Sequence, residues 1–264
     1  MRAGIVLISF LPFLYYATKD TLFHFTGRRV TIAEHGLHLA VGLSLAMVLT
    51  NAVLGKSPAM LVGLVLFAVA GAIDEYVWHR GIPETESDLH AKEHLALLIF
   101  VVVTLAVNWL ESYDWQISRA LDSLRAHASP KKSHVTQLAL SGMFEAPTWR
   151  AVVLIAFFLP YTFFGLNDNL HHVRHRHVSW AERILHATIV LALFTVVPHA
   201  IFGSRAIMVV GLLLFVFARA LDEWVFHRRL TDGEADMHAK THLAFLIFVV
   251  AGMAIDSMTH RTWI

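Results

Sequence analysis

Asp20/His24, Glu34/His38, Glu75/His79 and Glu86/His90 each set a carboxylate four positions before an imidazole, and His94 follows one turn after His90. All nine residues return 148 positions later, as Asp168/His172, Glu182/His186, Glu223/His227, Glu234/His238 and His242. Residues four apart on a helix stand one above the other on the same face. Each acid-x-x-x-His pair is therefore expected to present one oxygen and one nitrogen ligand in a single direction. A lone pair of this kind is common on a solvated helix end, but a set of nine repeated in register is not. The chemistry it offers is metal coordination, and all eighteen residues are candidate ligands.

Up to four carboxylates and five imidazoles per half exceed the needs of one ion, since zinc takes four ligands and an octahedral ion six. Two ions per half are expected. Nitrogen and oxygen donors without sulfur suit Fe, Mn or Zn, and bridging carboxylates favour a dinuclear, non-haem iron or manganese centre, with iron preferred. In outline the inventory resembles that of the di-iron carboxylate bundles, which use Glu-x-x-His on facing helices. The spacing here is one residue longer and histidine is richer, so no membership of that family follows.

Three functions compete for such a site. The first is an oxidoreductase acting on a lipid-soluble substrate or redox partner. The second is a divalent metal sensor, carrier or store. Permeation needs polar groups through the membrane midplane, where this chain has almost none. The third is bis-His ligation of haem b, for instance by His38 and His94, which leaves the accompanying carboxylates unexplained and makes haem the least favoured cofactor.

The elements that must position these residues are apolar. Of the 264 residues 56% are hydrophobic and 16% charged, and the mean hydropathy is +0.58, which places the chain among membrane proteins with the lipid bilayer as its partner. Stretches without Asp, Glu, Lys, Arg or His cover Ala3 to Thr18, Leu39 to Gly55, Ser57 to Ile73, Leu95 to Leu110 and Ala151 to Asn167. Ala187 to Ser204, interrupted by His199, with the shorter Ala206 to Ala218 and Leu243 to Ile255, complete a set of eight. Each approaches the roughly 20 residues a helix needs to cross the hydrocarbon. Continuous apolar runs rather than alternation choose helix over barrel. The fold class is thus all-α, an integral membrane protein of eight transmembrane helices. The first span, behind Arg2, is read as a retained helix rather than a signal peptide, because its twin is internal.

Between residues 74 and 100, 16 of 27 positions are identical to those 148 further on, so the eight spans are read as a tandem duplication of a four-helix unit. Residues 1–111 form the first unit, 112–149 a polar or amphipathic linker and 150–264 the second. Four spans per unit make the repeats parallel, with a pseudo-two-fold axis along the membrane normal. They are expected to pack as two bundles or as one fused body. In the linker, Trp115, Ile117, Leu121 and Leu124 have rough helical spacing, and residues 129–133 are the most linker-like stretch.

Tracing the spans out and back puts 14 of 18 histidines and 15 of 20 acidic residues on one membrane face. With 12 Lys and Arg there against 9 opposite, that face carries 12 − 15 = −3 and the other 9 − 5 = +4. Basic residues alone do not separate the faces; on net charge the second face, which holds both termini, is expected to be cytoplasmic, in a bacterial-type inner membrane. The near-neutral balance, with no basic stripe interleaved by aromatics, argues against nucleic acid, and zero cysteines exclude disulfides and thiolate sites.

Other repeated residues have quieter roles. Asp88 and Lys92 are expected to pair along one helix, as are Asp236 and Lys240. Asp74 and Asp222 are expected to hold an imidazole N–H rather than a metal. Arg219, where the first half has Gly71, should pair with Asp222 or Glu223. Tyr76, Trp78, Trp224 and Phe226 are expected to form an aromatic belt. The run from His171 to His177 has no matching density in the first half and is read as solvated surface apart from His172.

Overall fold

The computed structural model describes residues 1–26, 31–79, 82–126, 148–175, 179–202, 205–227 and 232–258, without the side chains of 25, 26, 113–126, 173–175 and 232. Among these residues the secondary structure is helical throughout, with no strand. Eight helices follow in order: α1 Arg2–Thr26, α2 Ile32–Leu54, α3 Ser57–Ile73, α4 Glu84–Ala126, α5 Thr148–His175, α6 Trp180–Phe202, α7 Arg205–Leu221 and α8 Asp232–Met258. Seven of them are long and apolar enough to cross a membrane. The exception is α7, which equals α3 in length but carries Arg205 and Arg219 within its 17 residues and is followed directly by Asp222 and Glu223, more charge than the other spans hold in their apolar stretches.

Local signals set the helix boundaries. Thr31 caps α2 by accepting from the Glu34 amide at 3.2 Å, while Glu34 Oε2 accepts from the Thr31 amide at 3.3 Å. This reciprocal box satisfies two otherwise orphaned donors. Ser179 and Glu182 do the same at the start of α6. Gly55, at φ 70°, closes α2 in the left-handed conformation that glycine adopts at least cost, and Pro58 stands in the first turn of α3, where its missing N–H costs nothing.

Helices α4 and α8 lie against each other at the centre, where Leu95, Leu98, Phe100, Leu243, Phe245 and Leu246 are fully buried. Around them α1 packs on α4, α5 on α8, α2 on α3 and α6 on α7. The cross-contacts of α3 with α8 and of α4 with α7 join everything into one body with one core. At Gly63 an added Cβ would stand 2.9 Å from Val48, and at Gly211 2.9 Å from Val196, so these glycines let α2 meet α3 and α6 meet α7 closely. The outer faces expose large apolar side chains such as Ile8, Leu66, Phe163 and Phe194, as a lipid-facing surface requires.

Two details depart from the sequence expectation. Tyr76 stacks on Phe164 with ring centroids 5.7 Å apart, and its hydroxyl donates to the Lys240 carbonyl at 3.3 Å. Trp224 stacks on Tyr16 at 6.4 Å. These two rings therefore bridge α1–α4 and α5–α8 instead of joining a belt, which leaves Trp78, 41% exposed, nearer that role. In addition, α4 runs on to Ala126, so helix continues into the stretch read as linker. The side chains of Trp115, Ile117, Leu121 and Leu124 and all of residues 129–133 lie outside the described residues.

Candidate metal centres

Three lone-pair donors meet at the mouth of α5–α8. His172 Nδ1 donates to the Asp168 carbonyl at 2.8 Å, and His227 Nδ1 donates to the Asp222 carbonyl at 3.0 Å. Each bond fixes the tautomer that leaves Nε2 as the acceptor. The two Nε2 atoms face each other at 2.9 Å. Glu234 Oε1 stands 3.0 Å from the first and 3.6 Å from the second, and Glu182 Oε1 is 3.6 Å from His227 Nε2. Acceptors at these distances repel unless a proton or a metal cation lies among them.

The corresponding group on α1–α4 draws on the same residue types. His24 Nε2 lies 2.8 Å from Glu86 Oε1, and His79 Nε2 lies 3.5 Å from Glu34 Oε1 and 3.9 Å from Glu86 Oε1. Ligand atoms of His24, Glu34, His38 and His79 fall within 4.8 Å of one another, as do those of His24, His79, Glu86 and His90. His79 is fully buried and sits just beyond the apolar span Ser57–Trp78. Burial pushes its imidazole down to about 4, and the neighbouring His90 acts in the same direction. The ring is accordingly neutral, the form a metal accepts.

A second trio adjoins each group. Glu75, His90 and His94 converge within 4.8 Å, and so do Glu223, His238 and His242. His90 Nδ1 stands 2.9 Å from Glu75 Oε2 and its Nε2 3.3 Å from Asp20 Oδ1; His238 has the same contacts with Glu223 at 2.7 Å and Asp168 at 3.3 Å. His94 Nδ1 donates across to the Ala239 carbonyl at 3.1 Å, and His242 Nδ1 to the Ala91 carbonyl at 2.9 Å. Both rings thus turn Nε2 inward, and His242 Nε2 is buried without a hydrogen-bond partner. Each trio shares one imidazole, that of His90 or of His238, with the group beside it.

The expectation that every acid-x-x-x-His pair points one way fails at Glu75/His79. Residues Asp74–Trp78 and Asp222–Phe226 form π-helical turns at the ends of α3 and α7, so the His79 amide bonds the Asp74 carbonyl five residues back. One extra residue in the turn swings His79 toward His24 and Glu86 while Glu75 faces His90. Such insertions recur at functional sites. Asp74 lies near the role expected of it, 3.4 Å from His38 Nε2 and 3.5 Å from His79 Nδ1, but His79 Nδ1 is left without a hydrogen bond. Asp222 likewise lies 3.3 Å from His186 and 3.1 Å from His227 Nδ1, and Arg219 bonds Asp222 at 3.0 Å. Lys92 pairs with Asp88, and Lys240 with Asp236.

Asp20 and Asp168 touch the shared imidazoles from outside these groups, and among the described residues the close groups of α5–α8 contain neither Glu182 nor His186. The double duty of Glu34 and Glu182, with one oxygen in the helix cap and the other toward an imidazole, was legible in Thr31-x-x-Glu34 and Ser179-x-x-Glu182. The Arg150–Asp256 pair and the Arg2–Asn108 bond of 2.6 Å at the opposite end of the bundle were missed, although Arg2 and Arg150, and Asn108 and Asp256, stand at the same 148-residue offset. His175 and His177 lie outside the described side chains.

Each set borders a cavity. One of about 450 Å³ runs between α5 and α6 past Phe158, Leu193, Phe194 and Val197 to Asp168, His186 and Arg219. The other, about 380 Å³, lies between α1 and α2 and is lined by His24, His35, His38, His90, Glu93 and His94 among others. Comparison with known protein families, with curated proteins and with solved structures finds no match.

Proposed function

We propose that this is a membrane oxidoreductase built from two tandem four-helix units, residues 1–111 and 150–264 joined by 112–149, each holding a non-haem dinuclear centre. Iron is the favoured metal, with manganese or zinc as alternatives. Buried imidazole and carboxylate donors without sulfur fit such ions. The observation that carries the reading is the pair of Nε2 lone pairs of His172 and His227, 2.9 Å apart with Glu234 beside them and both Nδ1 atoms committed to carbonyls.

One ion is assigned to His24, His79 and Glu86 with Glu34 and His38, the other to Glu75, His90 and His94 with Asp20. The second unit uses His172, His227 and Glu234 with Glu182 and His186, then Glu223, His238 and His242 with Asp168. Bound there, iron or manganese would supply one-electron chemistry and open coordination positions. The chain itself holds the His79 imidazole neutral, fixes the tautomers of His94, His172, His227 and His242 through backbone carbonyls and leaves an apolar approach for a lipid-soluble reactant. The ligand end of the bundle is assigned to the face opposite the cytoplasm, following the charge balance.

A divalent metal sensor or store would use the same ligands but gives the two cavities no role. Haem needs a gap for its macrocycle, whereas His79 and His90 have ring centroids 4.4 Å apart and His24 and His38 4.8 Å. Elemental analysis of the detergent-purified protein with an optical spectrum tests the reading. About two iron or manganese atoms per unit without a Soret band is the expected result. Folded wild-type protein free of metal sinks it, zinc alone turns it to a sensor, and a Soret band to haem.

A further inference from the structure

The two cavities differ where Arg219 stands in place of Gly71. Arg219 is 5% exposed and lines the end of the α5–α6 cavity beside Asp168 and His186. One guanidinium nitrogen bonds Asp222 at 3.0 Å, while its Nε is buried with no hydrogen-bond partner. A buried N–H facing a cavity calls for an acceptor within that cavity. Its charge is already met by Asp222, Asp168 lies close on the other side, and the Tyr161 hydroxyl stands against the guanidinium without satisfying Nε. A second anion would therefore be repelled, so the acceptor is a neutral oxygen.

The walls say what that oxygen is attached to. Phe158 and Tyr161 stack with centroids 5.3 Å apart on one side, and Leu193 and Val197 face them. Leu166, Val190 and Phe194, which flank the entrance, are exposed on the lipid side. The volume of about 450 Å³ suits a single ring with the start of a tail. In the α1–α2 cavity Gly71 offers no donor at this position, and His35, Thr21 and Glu93 add polar groups to the lining.

We infer that the α5–α6 cavity is a binding site for a neutral, lipid-soluble molecule with a carbonyl head on a ring, of the quinone class, whose carbonyl accepts from Arg219 Nε. The site is confined to the second unit, which makes the two units unequal. For the use made of the bound ring it rests on the oxidoreductase reading above; for the binding itself it does not.

The test uses full-length protein in phosphatidylcholine nanodiscs, a decyl-tailed benzoquinone as probe, and equilibrium dialysis, with metal content measured on the same samples. One saturable site per chain is expected. Leu193→Trp, which fills the cavity away from every ligand, should abolish binding with metal content unchanged. Arg219→Gln should weaken binding at least tenfold, and Arg219→Lys less. Saturable binding to a metal-free chain supports this site while overturning the metal reading. No saturable binding by a metal-containing chain, two equal sites, binding unmoved by Leu193→Trp, or tighter binding of decanoate than of the quinone each overturns it.

Discussion

The imidazoles of His172 and His227 show how much of the site is set by backbone rather than by the ligands themselves. Each ring is turned by one carbonyl, of Asp168 and of Asp222, so a neutral imidazole has no freedom over which nitrogen it offers. Removing both rings, in His172→Ala/His227→Ala, should lower total metal by a quarter to a half and leave the ions held by α1–α4 in place. Elemental analysis against wild type reads this directly, and an unchanged content would show that these rings ligate nothing. His79 adds a pH signature. Burial and His90 depress its pKa to about 4 from the ordinary 6.5, more than Asp74, Glu75 and Glu86 raise it. Between those values the unfolded chain binds a proton that the folded chain refuses, so stability falls as pH falls through that window. Above about 6.5 the effect is absent. Thermal unfolding of metal-free protein in detergent should therefore show a loss between about pH 6.5 and 4 that is smaller in His79→Asn. Which residues could ligate was legible from type and repetition alone. Which ligate together was not, because Glu75 and His79 part company at a π turn that four-residue spacing cannot reveal.

At the scale of the element, the sequence was most informative where hydropathy alone decides. The apolar runs fixed the eight helices, and the capping residues Thr31 and Ser179 would have placed two of their starts. What escaped was anything that depends on a neighbour. Tyr76 and Trp224 have the composition of a membrane belt, yet each docks on an aromatic ring of the other helix group, a preference visible only once α3 lies near α5 and α7 near α1. The close approach of α6 to α7 is a contrasting case, since Gly211 repeats Gly63 at the 148-residue offset, whereas Gly4, Gly36 and Gly42, with open space around them, have no glycine twin in the second half. A Cβ there would meet Val196 at 2.9 Å and Thr195 at 3.1 Å. Because α7 carries Arg219, Asp222 and Glu223 toward the second centre, Gly211→Ala should cost about 1–3 kcal/mol by overpacking and also loosen the metal there. Gly4→Ala, with nothing within 4 Å of its added Cβ, is the matched control. A melting temperature lowered by several degrees in the first and unmoved in the second is the expected pair of results; equal melting temperatures would mean that the helices simply move apart.

For the whole molecule, the question is whether the two four-helix groups are independent bundles or halves of one object. The centre of the protein answers through α4 and α8, the most deeply buried of the apolar spans, which present Leu95, Leu98, Leu243 and Leu246 to a single core. The chemistry follows the same seam. His94 is oriented by the carbonyl of Ala239, the neighbour of His238, and His242 by that of Ala91, the neighbour of His90. Each trio is therefore aligned by the helix that supplies the other. A chain cut into 1–126 and 148–264 should then behave as one protein in two pieces. Co-expressed, the fragments should co-purify one to one with near-wild-type metal, whereas each alone, lacking its central partner, should aggregate in detergent or lose the inward turn of His94 or His242 and with it the Glu75 or Glu223 trio. Either fragment alone standing as a stable monomer with its full metal content would show that the seam joins two finished bundles, and that the exchanged histidine bonds are incidental to both centres.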